Sequence, residues 1–96
     1  MTKRRADNPD DNQAEIVHAL RSLGCRVDII GRPFDLLVTR DEVLYLMEVK
    51  NPFGQNKLSK KQIADIEDFA YRGIEVHVVR SVSEAFASVG IFVQWG

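Results

Sequence analysis

Two acidic residues and a lysine lie at matching positions of two short apolar runs. The segment from residue 33 to residue 50 reads PFDLLVTRDEVLYLMEVK. A hairpin that turns at Asp41-Glu42 would pair the residues of the two runs in a fixed register. Thr39 would face Leu44, Leu37 would face Leu46 and Asp35 would face Glu48. Opposed residues in a hairpin have Cβ atoms about 4.5–5.5 Å apart, so two carboxylates there repel each other. A divalent cation bound between them would convert this repulsion into attraction.

This set of side chains suits the hydrolysis of a phosphodiester bond. The reaction must neutralise charge on the phosphate, activate a water molecule and stabilise the leaving oxygen. Mg²⁺ or Mn²⁺ held by hard oxygen ligands serves all three needs. We expect Asp35, Glu48 and the backbone carbonyl of Val49 to be such ligands. Lys50 would orient or deprotonate the attacking water and offset the developing negative charge.

The same residues also allow a purely structural interpretation. Asp35, Glu48 and Lys50 could form a surface salt-bridge cluster at a sheet edge, an arrangement that contributes little to stability. Leu37 and Leu46 favour the metal site, because they continue the same strand face and predict that a helix covers it. Two partly buried carboxylates with a single lysine would then be under-compensated.

The elements that must position these residues follow from apolar periodicity and from turn-forming residues. The predicted order is α-β-β-β-α-β-α, an α/β fold in which helices pack on a central mixed sheet. The predicted helices span residues 11–23, 59–71 and 84–88, and the predicted strands span residues 27–30, 35–39, 44–49 and 75–79. Asp10 or Asp11 would cap the first helix and Ser83 the last. The strand after the second helix should lie parallel to a neighbour.

Four features occur in the order typical of the PD-(D/E)XK nuclease superfamily, which the sequence resembles. They are Glu15 in the first helix, Asp35 at the start of a strand, Glu48-Val49-Lys50 at the end of the next strand, and Gln62 in the following helix. Within that superfamily, the strings GRPFDLLV and LYLMEVK look like those of the virus-type replication-repair nuclease (VRR-NUC) domain. The resemblance covers roughly residues 11–79.

The resemblance implies a restriction-endonuclease-like core and a Mg²⁺- or Mn²⁺-dependent DNA endonuclease. It also implies that Glu15 completes the metal site and that Gln62 is catalytic. Both residues have ordinary alternatives. Glu15 could be a solvated glutamate that interacts favourably with the helix dipole, and Ser59-x-x-Gln62 is also a capping box.

The overall charge does not indicate nucleic-acid binding, because the net charge is −1 and the pI is about 6.1. The distribution of charge is more informative. Positions 50–61 contain four lysines and no acidic residue. We expect Lys57, Lys60 and Lys61 to contact DNA phosphates. A solvated lysine-rich loop is the alternative.

Length and composition predict a single domain over residues 1–96, with a flexible tail at residues 1–9. No apolar run approaches the roughly 18 residues of a membrane-spanning helix, so we expect no membrane partner. The single cysteine, Cys25, favours a reducing, cytoplasmic location. The resemblance places that location in a bacterial or phage-infected cell, with a role in DNA repair.

The apolar run Ile91-Phe92-Val93-Gln94-Trp95 exceeds what one extra edge strand needs, and it predicts a homodimer contact within residues 91–96. A two-fold dimer would present two nicking sites facing opposite ways. That geometry suits a four-way (Holliday) junction, and the resemblance to stand-alone VRR-NUC domains implies the same substrate. The alternative is a non-catalytic nucleic-acid-binding or interaction module of the same fold within a larger replication or repair assembly.

Overall fold

The element order predicted from the sequence is confirmed in a computed structural model that describes residues 9–52 and 57–92. The helices are α1 (Pro9–Ser22), α2 (Lys60–Tyr71) and α3 (Val82–Ser88). The strands are β1 (Arg26–Ile29), β2 (Leu36–Arg40), β3 (Val43–Val49) and β4 (Val76–Val79). The strands form one mixed sheet in the order β1-β2-β3-β4, in which β3 and β4 are parallel and the other pairs are antiparallel.

The hairpin of β2 and β3 has the predicted register. Leu37 lies opposite Leu46, and Thr39 lies opposite Leu44. The two residues of the turn, at positions 41 and 42, have φ angles of 52° and 68°. Positive φ at both central residues is the conformation of the two-residue turn that matches the twist of paired strands. One step beyond the paired residues, the same register brings Asp35 to Glu48.

The crossover through α2 makes β3 an internal strand. β4 returns parallel to β3, with Glu48 beside Val78 and Val49 beside Val79. The Lys50 amide extends the pairing by donating to the Val79 carbonyl at 2.9 Å. The Glu48-to-Lys50 segment is therefore held between two neighbouring strands and does not lie at a sheet edge.

The sheet has a separate apolar cluster on each face. The larger cluster joins α1 and α3 to the sheet and is built from the buried residues Ile16, Val17, Leu20, Cys25, Val27, Leu36, Val38, Met47, Val79, Ala85 and Val89. The smaller cluster lies under α2 and contains Phe34, Leu46 and Val76, with Leu37, Ile66 and Phe69 packed against it. Because α2 covers the strand face of Leu37 and Leu46, the predicted helix over the carboxylate face is confirmed.

Two predicted helix caps are wrong. Helix α1 begins at Pro9, so Asp10 and Asp11 lie within its first turn. Helix α3 is capped by Ser81, whose hydroxyl accepts from the Glu84 amide at 3.0 Å, so Ser83 lies inside the helix. The earlier start lengthens α3 and buries Ala85 against the sheet.

The predicted tail at residues 1–9 lies outside the described residues, except for Pro9, which begins α1. Of the predicted contact segment at residues 91–96, the structure describes Ile91 and Phe92, which follow α3 without regular structure. None of the helices in the described ranges is long and apolar enough to cross a membrane.

Candidate active site

Asp35 is held by both its side chain and its backbone at the point where β2 begins. Its Oδ2 accepts a hydrogen bond from the Val49 amide at 2.8 Å. Its carbonyl accepts from the amides of Ile30 and Gly31 at 3.0 and 3.3 Å. These bonds fix the Asp35 carboxylate against the end of β3, beside Glu48.

Glu48 and Lys50 form a largely buried ion pair beneath the start of α2. Lys50 Nζ lies 3.3 Å from Glu48 Oε2, and the two side chains are only 17% and 7% exposed. The same oxygen accepts a hydrogen bond from Gln62 Nε2 at 2.7 Å. The pair is therefore not the exposed salt bridge of the structural interpretation.

Gln62 forms the capping box that its position in the sequence allowed and also contacts the charged residues of the site. Its catalytic role stays a prediction. Its Oε1 accepts from the Ser59 amide at 3.0 Å, and its own amide donates to Ser59 Oγ at 3.0 Å, which completes the capping box. The same Oε1 also accepts from Lys50 Nζ at 3.0 Å, while Nε2 donates to Glu48. The Gln62 side chain thus takes part in capping α2 and connects this helix to Glu48 in β3 and to Lys50, which follows β3.

The electrostatics of the site favour an additional positive charge. Burial raises the pKa of Glu48, and the charge of Asp35 raises it further, while the ion pair and hydrogen bond with Lys50 act in the opposite direction. The net shift is upward. Lys50 therefore does not compensate the two carboxylates fully, and a bound cation would lower the pKa of Glu48.

The raised pKa of Glu48 predicts how the stability of the metal-free protein depends on pH. The ordinary pKa of a glutamate is 4.5, and the folded value lies above it. Over that interval the folded state binds more protons than the unfolded state, so the free energy of unfolding should fall as pH rises through the folded pKa. Urea denaturation in EDTA at a series of pH values measures this. Glu48→Gln should remove that loss of stability, and an unchanged pH dependence in this variant would contradict the prediction.

The oxygens of the two carboxylates suit Mg²⁺ or Mn²⁺. Asp35 Oδ2 accepts from the Val49 amide and Glu48 Oε2 contacts Gln62 and Lys50, and the two carboxyl groups lie within hydrogen-bonding reach of each other. Hard carboxylate oxygens are the ligands that these cations prefer. The donor set therefore fits the metal implied by the sequence.

Helix α1 brings Asn12 to the end of β3, a residue that the sequence analysis missed. The Asn12 side chain is almost fully buried, with 2% of the residue exposed. Its Nδ2 donates to the Lys50 carbonyl at 2.8 Å and to the Arg80 carbonyl at 3.3 Å. The signal in the sequence was a polar residue four positions before Ile16, on the buried stripe of the helix.

Replacing Asn12 should destabilise the protein. Asn12→Ala leaves two partly buried carbonyls without this donor, at an expected cost of about 1–3 kcal/mol in the free energy of unfolding. A loss of stability would point to the side-chain hydrogen bonds, because alanine has the higher helix propensity and would by itself stabilise α1. Equilibrium urea denaturation measures the cost, with the exposed His18→Ala on the same helix as control. Equal stability of the two variants would show that the Asn12 hydrogen bonds contribute nothing.

Glu15 has an exposed position on α1. Within residues 9–52 and 57–92, no three His, Cys, Asp or Glu side chains form a group able to hold a metal ion. Glu15 therefore does not join Asp35 and Glu48 in a three-carboxylate set in this structure. Its role as a metal ligand stays a prediction.

The predicted DNA-binding lysines flank the site. Lys57 precedes α2, and Lys60 and Lys61 occupy the first turn of the helix, next to Gln62. All three are exposed, and Lys61 pairs with Asp65 at 2.9 Å. Their positions are compatible with contacts to a phosphate backbone, which stay a prediction.

Comparison with known proteins identifies the fold. No family model and no curated protein matches the chain. A solved structure described as "VRR_NUC domain" has a TM-score of 0.70 and 26% sequence identity, and the match covers 88% of this chain and 97% of that chain. The chain has the structure of a VRR-NUC domain. The predicted resemblance and the restriction-endonuclease-like fold are both confirmed, and the similarity supports a nuclease-family domain.

Within this VRR-NUC-like fold, three elements bring the predicted site residues together. The Asp35 carboxylate lies at the start of β2, Glu48 and Lys50 come from the end of β3, and Gln62 comes from the first turn of α2. Hydrogen bonds and the ion pair join them, with Asp35 linked through the Val49 amide.

Proposed function

We propose that this VRR-NUC domain is a metal-dependent endonuclease that hydrolyses phosphodiester bonds in DNA. The observation that best supports the proposal is the position of Glu48, a buried carboxylate beside Asp35 whose ion pair with Lys50, at 3.3 Å, offsets only one of the two negative charges. A protein that needed only a stable sheet would gain nothing from this arrangement, since buried like charges are costly.

Asp35 and Glu48 would hold the metal with the Val49 carbonyl, and Glu15 is proposed as a further ligand. A bound Mg²⁺ or Mn²⁺ supplies Lewis-acid polarisation of the phosphate and lowers the pKa of a bound water. The protein's part is to hold the carboxylates in place. For Asp35 this comes from the Val49 amide, and for Glu48 from Lys50 and Gln62.

Lys50 would act on the attacking water and on the developing charge. Its ammonium group is fixed by Glu48 Oε2 at 3.3 Å and by Gln62 Oε1 at 3.0 Å. A positively charged group held in a largely buried site stabilises negative charge more than the same group in water. Gln62 is assigned a positioning role, because it accepts from Lys50 and donates to Glu48.

The DNA backbone would approach over the start of α2. Lys57, Lys60 and Lys61 are exposed there and each could contact a phosphate. The proposed substrate is branched duplex DNA, with the four-way junction as the preferred form.

A homodimer would supply the two cuts that a junction needs. Phe92 is 82% exposed, while the preceding Ile91 packs against the main core. We propose that a second copy of the chain covers Phe92 together with the residues that follow it, which lie outside the described part of the chain. Two-fold symmetry would then direct the two sites at opposite strands.

A cleavage assay tests the proposal and its substrate. Supercoiled, linear, single-stranded and four-way-junction DNA are each incubated with the protein in Mg²⁺, Mn²⁺ or EDTA, and light scattering gives the mass. We expect cutting only with metal, a preference for the junction, and a dimer. Binding without cleavage under every condition would identify a non-catalytic module instead. A monomer that cuts linear duplex and junction equally would refute the dimer and the junction preference.

A further inference from the structure

A groove lies beside the carboxylate site, and the function proposed above gives no role to its residues Arg32, Pro33 and Asp65. It encloses about 430 Å³ and is lined by Arg32, Pro33, Lys61, Gln62 and Asp65. One wall is the loop between β1 and β2, and the other is the start of α2. The groove thus lies between the two segments that contain Asp35 and Gln62.

The groove and the carboxylate site share one side chain. Gln62 lines the groove, and its amide group contacts Glu48 at 2.7 Å and Lys50 at 3.0 Å. On the opposite wall, Pro33 precedes Asp35 by two residues. A chain of phosphates that placed one member at the carboxylates would therefore bring a neighbouring member to the groove.

The charge of the groove is positive and is concentrated on one residue. Lys61 is paired with Asp65 at 2.9 Å, so these two charges offset each other. Arg32 is exposed, and its side chain makes no hydrogen bond or ion pair in the part of the chain that the structure describes. A guanidinium group presents several N–H donors in a planar fork that matches phosphate oxygens. The Arg32 guanidinium group is thus free of partners among the described residues, and it lines a groove with room for a phosphate group.

We propose that this groove binds a backbone phosphate next to the one that is cleaved, with Arg32 as the main contact. Lys61 is the second contact, because its side chain is 82% exposed and its pair with Asp65 is of the weak, solvent-screened kind. Asp65 opposes binding by competing for Lys61. The inference rests on the proposed function and names a phosphate contact outside the lysine-rich segment.

Binding of a labelled DNA duplex in EDTA, measured by fluorescence anisotropy at several salt concentrations, tests the groove without cleavage. Arg32→Gln should weaken binding at low salt by about tenfold or more. It should also lower the slope of log affinity against log salt by about 0.9, the value of one phosphate contact. Asp65→Asn should strengthen binding. In Mg²⁺, Arg32→Gln should raise KM with little change in kcat.

Arg72→Gln is the matched control. It changes the net charge equally and removes an i,i+4 pair, that of Arg72 with Asp68, at the other end of α2. At about 1.5 Å of rise per residue, Arg72 lies about 16 Å along the helix from Lys61. Wild-type affinity and slope in Arg32→Gln, or equal losses in the two variants, would overturn the inference. If Arg32→Gln alone loses binding while no metal supports wild-type cleavage, the phosphate groove stands and the nuclease proposal fails.

Discussion

Replacing either carboxylate, in Asp35→Asn or Glu48→Gln, is expected to abolish DNA cleavage while the protein remains folded. Each change keeps the shape of the side chain and removes a charged metal ligand. Loss of the several kcal/mol that a bound cation contributes to the transition state corresponds to a fall in rate of about a thousandfold or more. Initial rates on the preferred substrate in Mg²⁺ measure the effect.

Metal-linked stability gives this prediction a second measurement that does not depend on activity. Mg²⁺ or Mn²⁺ should raise the Tm of the wild-type protein and leave both variants unchanged, because a ligand stabilises only the folded state that binds it. The metal-free variants should be at least as stable as the wild type, since each relieves repulsion between Asp35 and Glu48.

The matched control for both measurements is Asp28→Asn. Asp28 lies on β1 and forms an ion pair with Arg26 at 3.0 Å, away from the proposed metal site. This variant should retain cleavage and the metal-induced rise in Tm. Cleavage at the wild-type rate in Asp35→Asn would refute the assignment of the metal site.

Lys50→Met is expected to lower kcat by about 10²–10⁴, the range attributed to a positioned proton-transfer group. Methionine keeps an unbranched side chain in the space between Glu48 and Gln62 but removes the ammonium group. Because the carboxylates and the lysine-rich segment are untouched, the metal-induced rise in Tm and the affinity for DNA should persist. Single-turnover kinetics together with a thermal titration of metal separate the two effects.

The exposed Lys57 provides the control for Lys50. Lys57→Met removes the same charge from a residue that precedes α2, so it should weaken DNA binding and leave kcat unchanged. A Lys50→Met variant that turns over at the wild-type rate would remove Lys50 from the chemistry. If Lys50→Met instead loses metal binding, the role of Lys50 is to maintain the metal site and not to act on water.

The hairpin could be predicted from the sequence because its determinants are local. Alternating apolar residues fix which face of each strand is buried, and a two-residue turn fixes the register. This register also places Asp35 opposite Glu48. The cap of α3 was not determined in this way, because Ser81 and Ser83 are both competent caps and local sequence does not distinguish them.

Long-range contacts explain what the sequence did not reveal about the site. Asn12 donates to carbonyls that are 38 and 68 residues away in the chain, so no local pattern identifies its partners. The sequence allowed two interpretations of Gln62, as a capping residue of α2 and as a residue of the carboxylate site. An amide side chain has an acceptor and a donor end, so it can cap α2 and contact Glu48 and Lys50 together. The structure realises both contacts.

Restoration of activity by metal tests the central claim most directly. Wild-type protein and Glu48→Gln, purified in parallel and freed of metal with EDTA, are assayed for initial rates of DNA cleavage as Mg²⁺ or Mn²⁺ is added back. We expect no cleavage by either protein in EDTA, a rate that rises to saturation with metal for the wild type, and none for Glu48→Gln. Cleavage by the metal-free wild type, or equal metal-dependent rates for the two proteins, would contradict the proposal that Glu48 holds a catalytic metal.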